Sequence, residues 1–205
     1  MKNIFNDTLK KLHKKFMQLR LKNKTFSLIS QNCNGMYMLK DLNLPYYSPF
    51  VNLWLHPNDF IKFAKNMDYY LSLELKFETN NNFKYPVGNL GDIKIYFTHF
   101  KTEQEALEKW NKRKTRINKN NIFFLMTDRD GCTKEDLIEF DKLPYKNKIV
   151  FTHIKYPDIR SAVYIPGFEQ EEYVGLCFKY PTKYSFKRYQ DSYDYVKWFN
   201  SKENK

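Results

Sequence analysis

The run NIFFLMTDRDG, residues 121–131, decides how the rest of the chain is read. Ile122 to Met126 are apolar without a break, the pattern of a strand buried on both faces at the centre of a parallel sheet. The run empties at once into Thr127-Asp128-Arg129-Asp130-Gly131-Cys132, and Thr133, with Asp136 three residues on as capping partner, opens a helix to about Phe140. A strand, a polar turn and a helix in that order form one α/β unit.

Working outward, the same grammar recurs. Thr25 to Ser30 (TFSLIS) reads as a buried strand that ends in Gln31-Asn32-Cys33-Asn34-Gly35, before a helix over Met36 to Leu42. Tyr85 to Gly91 is a tight loop leading into a half-buried strand, where Ile93, Ile95 and Phe97 alternate with Lys94, Tyr96 and Thr98. Thr102 and Glu105 make a capping box for a helix to about Ile117. Lys148 to Thr152 is a further strand, and Phe50 to Leu55, Leu73 to Phe77 and Ser161 to Ile165 are strand-like. A helix follows Pro57 to about Tyr70, Thr79 to Asn82 is an Asn-rich turn, residues 167–190 are irregular and aromatic, and Asp191 to Asn200 closes the chain as a helix. These elements predict an α/β domain over residues 23–205: three layers around a mostly parallel sheet containing 25–30, 93–98, 121–126 and 148–152.

Residues 1–22 form a separate basic amphipathic helix in this reading. Phe5, Leu9, Leu12, Phe16 and Leu19 fall on one stripe over residues 3–21, with lysines at 10, 11, 14 and 15 around it. The stripe either packs on the domain or lies on an anionic membrane surface. Eight basic residues against the single acid Asp7 place +7 of the net +12 within residues 1–24. The remaining body is only mildly basic, and the Lys- and Asn-rich composition is that of an A/T-rich genome, so nucleic acid is not the expected partner. Cys33, Cys132 and Cys177 form no CxxC pair, which argues against a disulfide framework or a cysteine zinc site and for a cytoplasmic protein. No apolar run reaches the length of a membrane span, and no secretory leader is expected.

The run Ser30 to Gly35 (SQNCNG), the loop Tyr85 to Gly88 with Asp92, and the helix Glu105-Ala106 to Trp110 with Arg113, Arg116, Ile117 and Asn118 together resemble one bacterial family. Asp128-Arg129-Asp130 and Phe140-Asp141-Lys142-Leu143-Pro144 followed by Lys148 add to the likeness, which spans about Thr25 to Asn200. The family is domain of unknown function 1919. The resemblance implies a Rossmann-like fold and a place in exopolysaccharide or capsule biosynthesis, since its members often carry that label. It supplies no mechanism.

The chemistry is therefore read from residues. Ligands of open α/β sheets sit at the carboxyl ends of the strands. Asn32, Asn34 and Gly35 sit at one such end, where their amides and a helix N-terminus can cradle a phosphate or a sugar hydroxyl. Cys33 there is either a nucleophile or a small buried side chain closing the turn. Asp128 and Asp130, one residue apart, match the Asp-x-Asp arrangement of nucleotide-sugar glycosyltransferases, which implies a divalent metal, Mg or Mn. They can also act in the site without a metal, as catalytic carboxylates, or be structural, with Asp130 capping the next helix and Asp128 paired with a base. Arg113 falls on the inward stripe of its helix, to pair with Asp128 or reach an anionic ligand, and Arg129 is a second ligand contact. His99 follows a strand and is a candidate general base; His56 and His153 lie in loops with no visible carboxylate partner. No HExxH, Gly-x-Ser-x-Gly or P-loop pattern occurs.

The expectation is a transferase moving a sugar or phosphate-linked group from a nucleotide sugar to a glycan or lipid-linked acceptor. An acyltransferase or other glycan-modifying enzyme, and a non-catalytic carbohydrate-binding or assembly factor, stay open beside it. Asn32, Cys33, His99, Arg113, Asp128 and Asp130 are expected to border one cleft.

Overall fold

The computed structural model describes residues 2–79 and 82–201, with side chains from Phe5 onward, so part of the expected Asn-rich turn lies outside the described residues. The first half of the chain runs α1 (Lys2–Arg20), β1 (Ser27–Ser30), α2 (Asn34–Asp41), α3 (Pro57–Lys65), α4 (Met67–Ser72), β2 (Lys76–Phe77), β3 (Val87–Leu90) and β4 (Ile93–Tyr96). The second half runs α5 (Glu103–Lys114), β5 (Ile122–Thr127), α6 (Lys134–Asp141), β6 (Lys148–Thr152), β7 (Ala162–Tyr164), a 3-10 turn (Tyr189–Ser192) and α7 (Tyr195–Asn200).

Strands β1, β5, β6 and β7 form a parallel sheet in the order β1-β5-β6-β7. Every residue of β5 is buried, as its unbroken apolar run requires. Its side chains alternate between two cores. Ile122, Phe124 and Met126 pack with Phe60, Phe63, Trp110 and Phe140 on one face; Phe123 and Leu125 pack with Leu28, Met38, Phe151 and Phe199 on the other. The three-layer α/β architecture is as the sequence predicts.

The strand over 93–98 is the exception. It pairs antiparallel with β3 in a second sheet, β2-β3-β4, and takes no place in the parallel one. The reason lies in the loop before it. Val87 to Leu90 is itself a strand, and Gly91, at φ +64°, supports the tight Gly91-Asp92 connection of a hairpin. The alternation of Ile93, Ile95 and Phe97 with polar residues fits a sheet covered on one side. Leu73 to Phe77 shrinks to the two residues of β2, and Phe50 to Leu55 to a single bridge between Trp54 and Tyr96. That bridge docks the hairpin beside the parallel sheet.

Helix α1 is not detached from the domain. Met17 and Leu21 are buried in the second core against β1 and α7, and Lys14 reaches the buried carboxylate of Asp41 at 2.6 Å. Of the two readings of the apolar stripe, packing on the domain does not hold. Phe5, Leu12, Phe16 and Leu19 are all exposed, and the helix packs through Asn6, His13, Met17 and Leu21 instead. Among the described residues no helix is long and apolar enough to cross a membrane.

Candidate functional site

Strands β1 and β5 are neighbours, so the loops at their carboxyl ends meet at one edge of the sheet. Gln31 joins them from below. Its Oε1 accepts from the backbone N–H and the hydroxyl of Thr127, both at 3.0 Å, and its Nε2 donates to the Leu55 carbonyl at 3.1 Å. Above it, Asn32 Nδ2 donates to Thr127 Oγ1 at 2.8 Å. A buried Gln and a half-buried Asn with polar atoms engaged fix the two loops to each other beyond the end of the β1–β5 ladder.

Over this base lies a cleft of about 280 Å³ lined by Asn32, Cys33, Asn34, Tyr37, Trp54, His99, Arg129, Asp130, Leu176 and Phe178. Of the six residues expected to border one cleft, Asn32, Cys33, His99 and Asp130 line it, and Asn34 and Arg129 stand beside them. His99 comes from the loop after β4, delivered by the Trp54–Tyr96 bridge although β4 is outside the parallel sheet. Among the described residues Arg129 is the one arginine or lysine in the lining. Its Nε donates to Asp130 Oδ1 at 3.2 Å, and its guanidinium lies over the Tyr173 ring.

Two predicted members are elsewhere. Asp128 is buried beneath the cleft, 6% exposed. Its Oδ1 accepts from Val174 N–H at 2.7 Å, and its Oδ2 accepts from His153 N–H at 2.8 Å and faces His153 Nδ1 at 2.6 Å. Its partner is therefore His153, at the end of the adjacent strand β6, and not Arg113. Arg113 does lie inward, but it donates through Nη1 to the Val51 carbonyl at 3.1 Å, away from the cleft lining. Burial holds its pKa below the usual arginine value.

The paired-aspartate reading changes accordingly. Both Asp128 oxygens are occupied by protein donors, and Asp130 turns away at φ +63° to pair with Arg129. Asp128 therefore presents no free oxygen beside Asp130 for the expected Mg or Mn, and among the described residues no group of three or more His, Cys, Asp or Glu is arranged to hold a metal ion. Asp130 does not cap the next helix either; Thr133 and Asp136 form that capping box. The carbonyl oxygen of Asp130 lies 3.1 Å from His56 Nδ1.

The helix N-terminus also differs from the phosphate cradle expected of it. Asn34 N–H donates to Asn32 Oδ1 at 3.2 Å and Gly35 N–H to Ser30 Oγ at 3.2 Å, so both amides are engaged internally. Gly35 is buried against Ser30 and Leu28 and does not line the cleft. Cys33 sits at the N-cap position, where a helix dipole would lower a thiol pKa, yet burial raises it to about 11, with Arg129 opposing and Asp130 adding. Burial thus favours the thiol over the thiolate, which counts against the nucleophile reading.

What remains open to a ligand is specific. Asn34 is only 2% exposed, lines the cleft, and its Oδ1 has no hydrogen-bond partner among the described residues. A buried amide oxygen without a partner is costly unless a ligand or water donates to it. Tyr37 stacks on Phe178 at 4.0 Å, and Trp54 stacks on Tyr96 at 4.0 Å, so aromatic faces border the cleft. Sequence reasoning missed all of these: Tyr37, Trp54, Leu176 and Phe178. Phe178 belongs to the irregular 167–190 segment, which carries no periodic signal. It is held by Arg188, whose Nη1 donates to the Phe178 carbonyl and whose Nε donates to Asp41 at 2.5 Å.

A family model described as a domain of unknown function (DUF1919) matches residues 4–200. An uncharacterized protein of Haemophilus influenzae is 48% identical over 184 residues, covering 90% of this chain and 88% of its own length.

Proposed function

The chain belongs to the DUF1919 family, and from that premise we propose that it is an enzyme of capsule or exopolysaccharide biosynthesis, transferring a sugar or phosphate-linked group onto a glycan or lipid-linked acceptor at the cytoplasmic face of the membrane. The pathway is only what the sequence resemblance implies; the matching family model is itself described as a domain of unknown function. The reaction type follows the cleft, and one observation carries it: the buried, unpartnered Asn34 Oδ1 stands in the same lining as Arg129, Trp54 and Tyr37.

Each feature selects a part of such a donor. Asn34 Oδ1 accepts from a hydroxyl. Aromatic faces pack on the apolar faces of sugar rings or on a nucleobase. Arg129 gives the charge that a diphosphate needs, in bidentate geometry, where the Asp128 and Asp130 pair does not assemble a metal site. His99, exposed in the lining, is the group placed to take a proton from an acceptor hydroxyl. The acyl-transfer alternative loses Cys33 and would rest on His99 alone.

Thermal shift with nucleotide sugars, acetyl-coenzyme A and bare oligosaccharides tests this. A nucleotide sugar at about a hundred times its Kd adds roughly 2.7 kcal/mol, a rise of about 5–10 °C for a chain of this size. The expected result is a rise with nucleotide sugar that Arg129→Ala abolishes and Asn34→Ala reduces. A rise with acetyl-coenzyme A alone supports acyl transfer instead, and one with bare oligosaccharide alone supports a non-catalytic binding protein.

A further inference from the structure

The exposed apolar stripe of α1 is anomalous for a helix already docked on its own domain. Phe5, Leu12, Phe16 and Leu19 are 69%, 61%, 56% and 73% exposed, while the opposite face is buried. Single exposed apolar residues are ordinary; four bulky ones in register along one helix face are not. A second segment packs along the edge of the same helix, and its Phe186 borders one surface depression together with Phe16 of the stripe. Asn6 Nδ2 donates to the Lys183 carbonyl at 2.7 Å, and His13 meets the Phe186 ring edge-on at 5.8 Å, so Tyr184 and Phe186, both exposed, lie alongside the helix.

The charges around this surface are one-sided. The nearby acids are already engaged: Asp7 has Lys10, Asp41 has Lys14 and Arg188, Asp194 has Arg20, and the buried Asp191 side chain lies against the His13 ring. Lys11, Lys15, Lys22 and Lys24 are exposed with no acidic partner among the described residues, and Lys183 and Lys187 lie over the rings of Tyr184 and Phe186. An apolar centre rimmed by uncompensated cations is complementary to a surface that is anionic outside and apolar beneath.

We propose that the outward face of α1, with Tyr184 and Phe186 beside it, docks the protein flat on an anionic lipid bilayer. Nineteen helical residues span roughly 28 Å, long enough to lie along the interface while Met17 and Leu21 stay in the core. The docking is independent of the chemistry in the cleft.

Vesicle sedimentation with the full chain tests it, using phosphatidylcholine alone and an equal mixture with phosphatidylglycerol. The expected result is sedimentation with the anionic vesicles only, weakening as salt rises. Leu12→Ser with Phe16→Ser changes only exposed positions and should leave the melting temperature unchanged, yet reduce partitioning by at least about tenfold. Lys11→Glu with Lys15→Glu should do the same at low salt. Three results overturn the proposal: a chain that ignores anionic vesicles at low salt, a doubly substituted variant that sediments as the parent does, or a stripe shown by analytical ultracentrifugation to be covered by a second copy of the chain.

Discussion

Gly35 lets helix α2 close on β1. A Cβ there would stand 2.6 Å from Ser30 Cβ and 2.9 Å from Leu28 Cδ2, both in the packed layer beneath. Neither can swing clear, so Gly35→Ala should cost about 1–3 kcal/mol in urea denaturation, and it should weaken ligand binding because Asn34 precedes it on the same turn. Cys33, two residues earlier, shows why motif and chemistry part company. Its place at a helix start suggests a reactive thiol, but burial outweighs the dipole and the neighbouring Arg129. Iodoacetamide should therefore alkylate Cys33 far more slowly than a free cysteine at neutral pH, with a rate that keeps climbing past pH 9 toward the thiol's value of about 11. An inflection near pH 7 would restore the nucleophile. Asn32 and Asn34 were visible as site residues because they follow a strand; their use of each other's side chains was not, since a one-dimensional pattern does not show hydrogen-bond direction.

Helices carry two contrasts that their sequences only half reveal. In α1 the apolar stripe is unmistakable, and the natural inference is that it faces inward. The structure buries the other side because Lys14 and Gln18 reach Asp41 and its carbonyl there, and Met17 and Leu21 fill the gap over β1. Met17→Ala or Leu21→Ala should thus cost about 2–4 kcal/mol, whereas Leu12→Ala should fall within about 0.5 kcal/mol of the parent in the same urea titration. Equal losses at the two sets of positions would mean the helix is rotated from its described pose. Helices α3 and α6 are clasped at the surface, where Glu139 of α6 accepts from Lys65 of α3 and from Lys142, both at 2.8 Å. Those two lysines hold its carboxyl down to about 2. A depressed folded value gives stability that is present above the unfolded pKa near 4.5 and lost as pH falls toward 2. The pair is exposed, so the effect is small. Glu139→Gln should melt slightly below the parent at neutral pH, and the difference should close between those two values.

At the scale of the molecule, the parallel sheet was legible because β5 and its neighbours are apolar runs flowing into polar turns. The irregular chain between β7 and α7 was not, because what orders it is long-range pairing rather than periodicity. Val174 in that segment returns over the sheet edge, where Asp128 accepts from its N–H while also receiving His153 at the end of β6, and Phe178 further along is held by Arg188. The residue that looked most like a metal ligand is in this arrangement an anchor, holding the segment that carries the Leu176 and Phe178 wall of the cleft. An anchor and a ligand-contacting group predict different failures. Asp128→Asn keeps the size of the side chain but removes the charge on which two backbone N–H groups and the His153 ring converge, and it sets an amide N–H2 against one of those N–H groups. The loss should be about 3 kcal/mol, in the range for breaking a buried, charge-assisted cluster. It should be local first: trypsin should cut after lysines in the 167–190 stretch, such as Lys179 and Lys183, faster than in the parent while the sheet still melts cooperatively. Arg188→Ala, which frees the Phe178 carbonyl from the other side, should expose the same stretch. If Asp128→Asn instead leaves both stability and cleavage unchanged while ligand binding disappears, Asp128 contacts the ligand directly and the anchoring account is wrong.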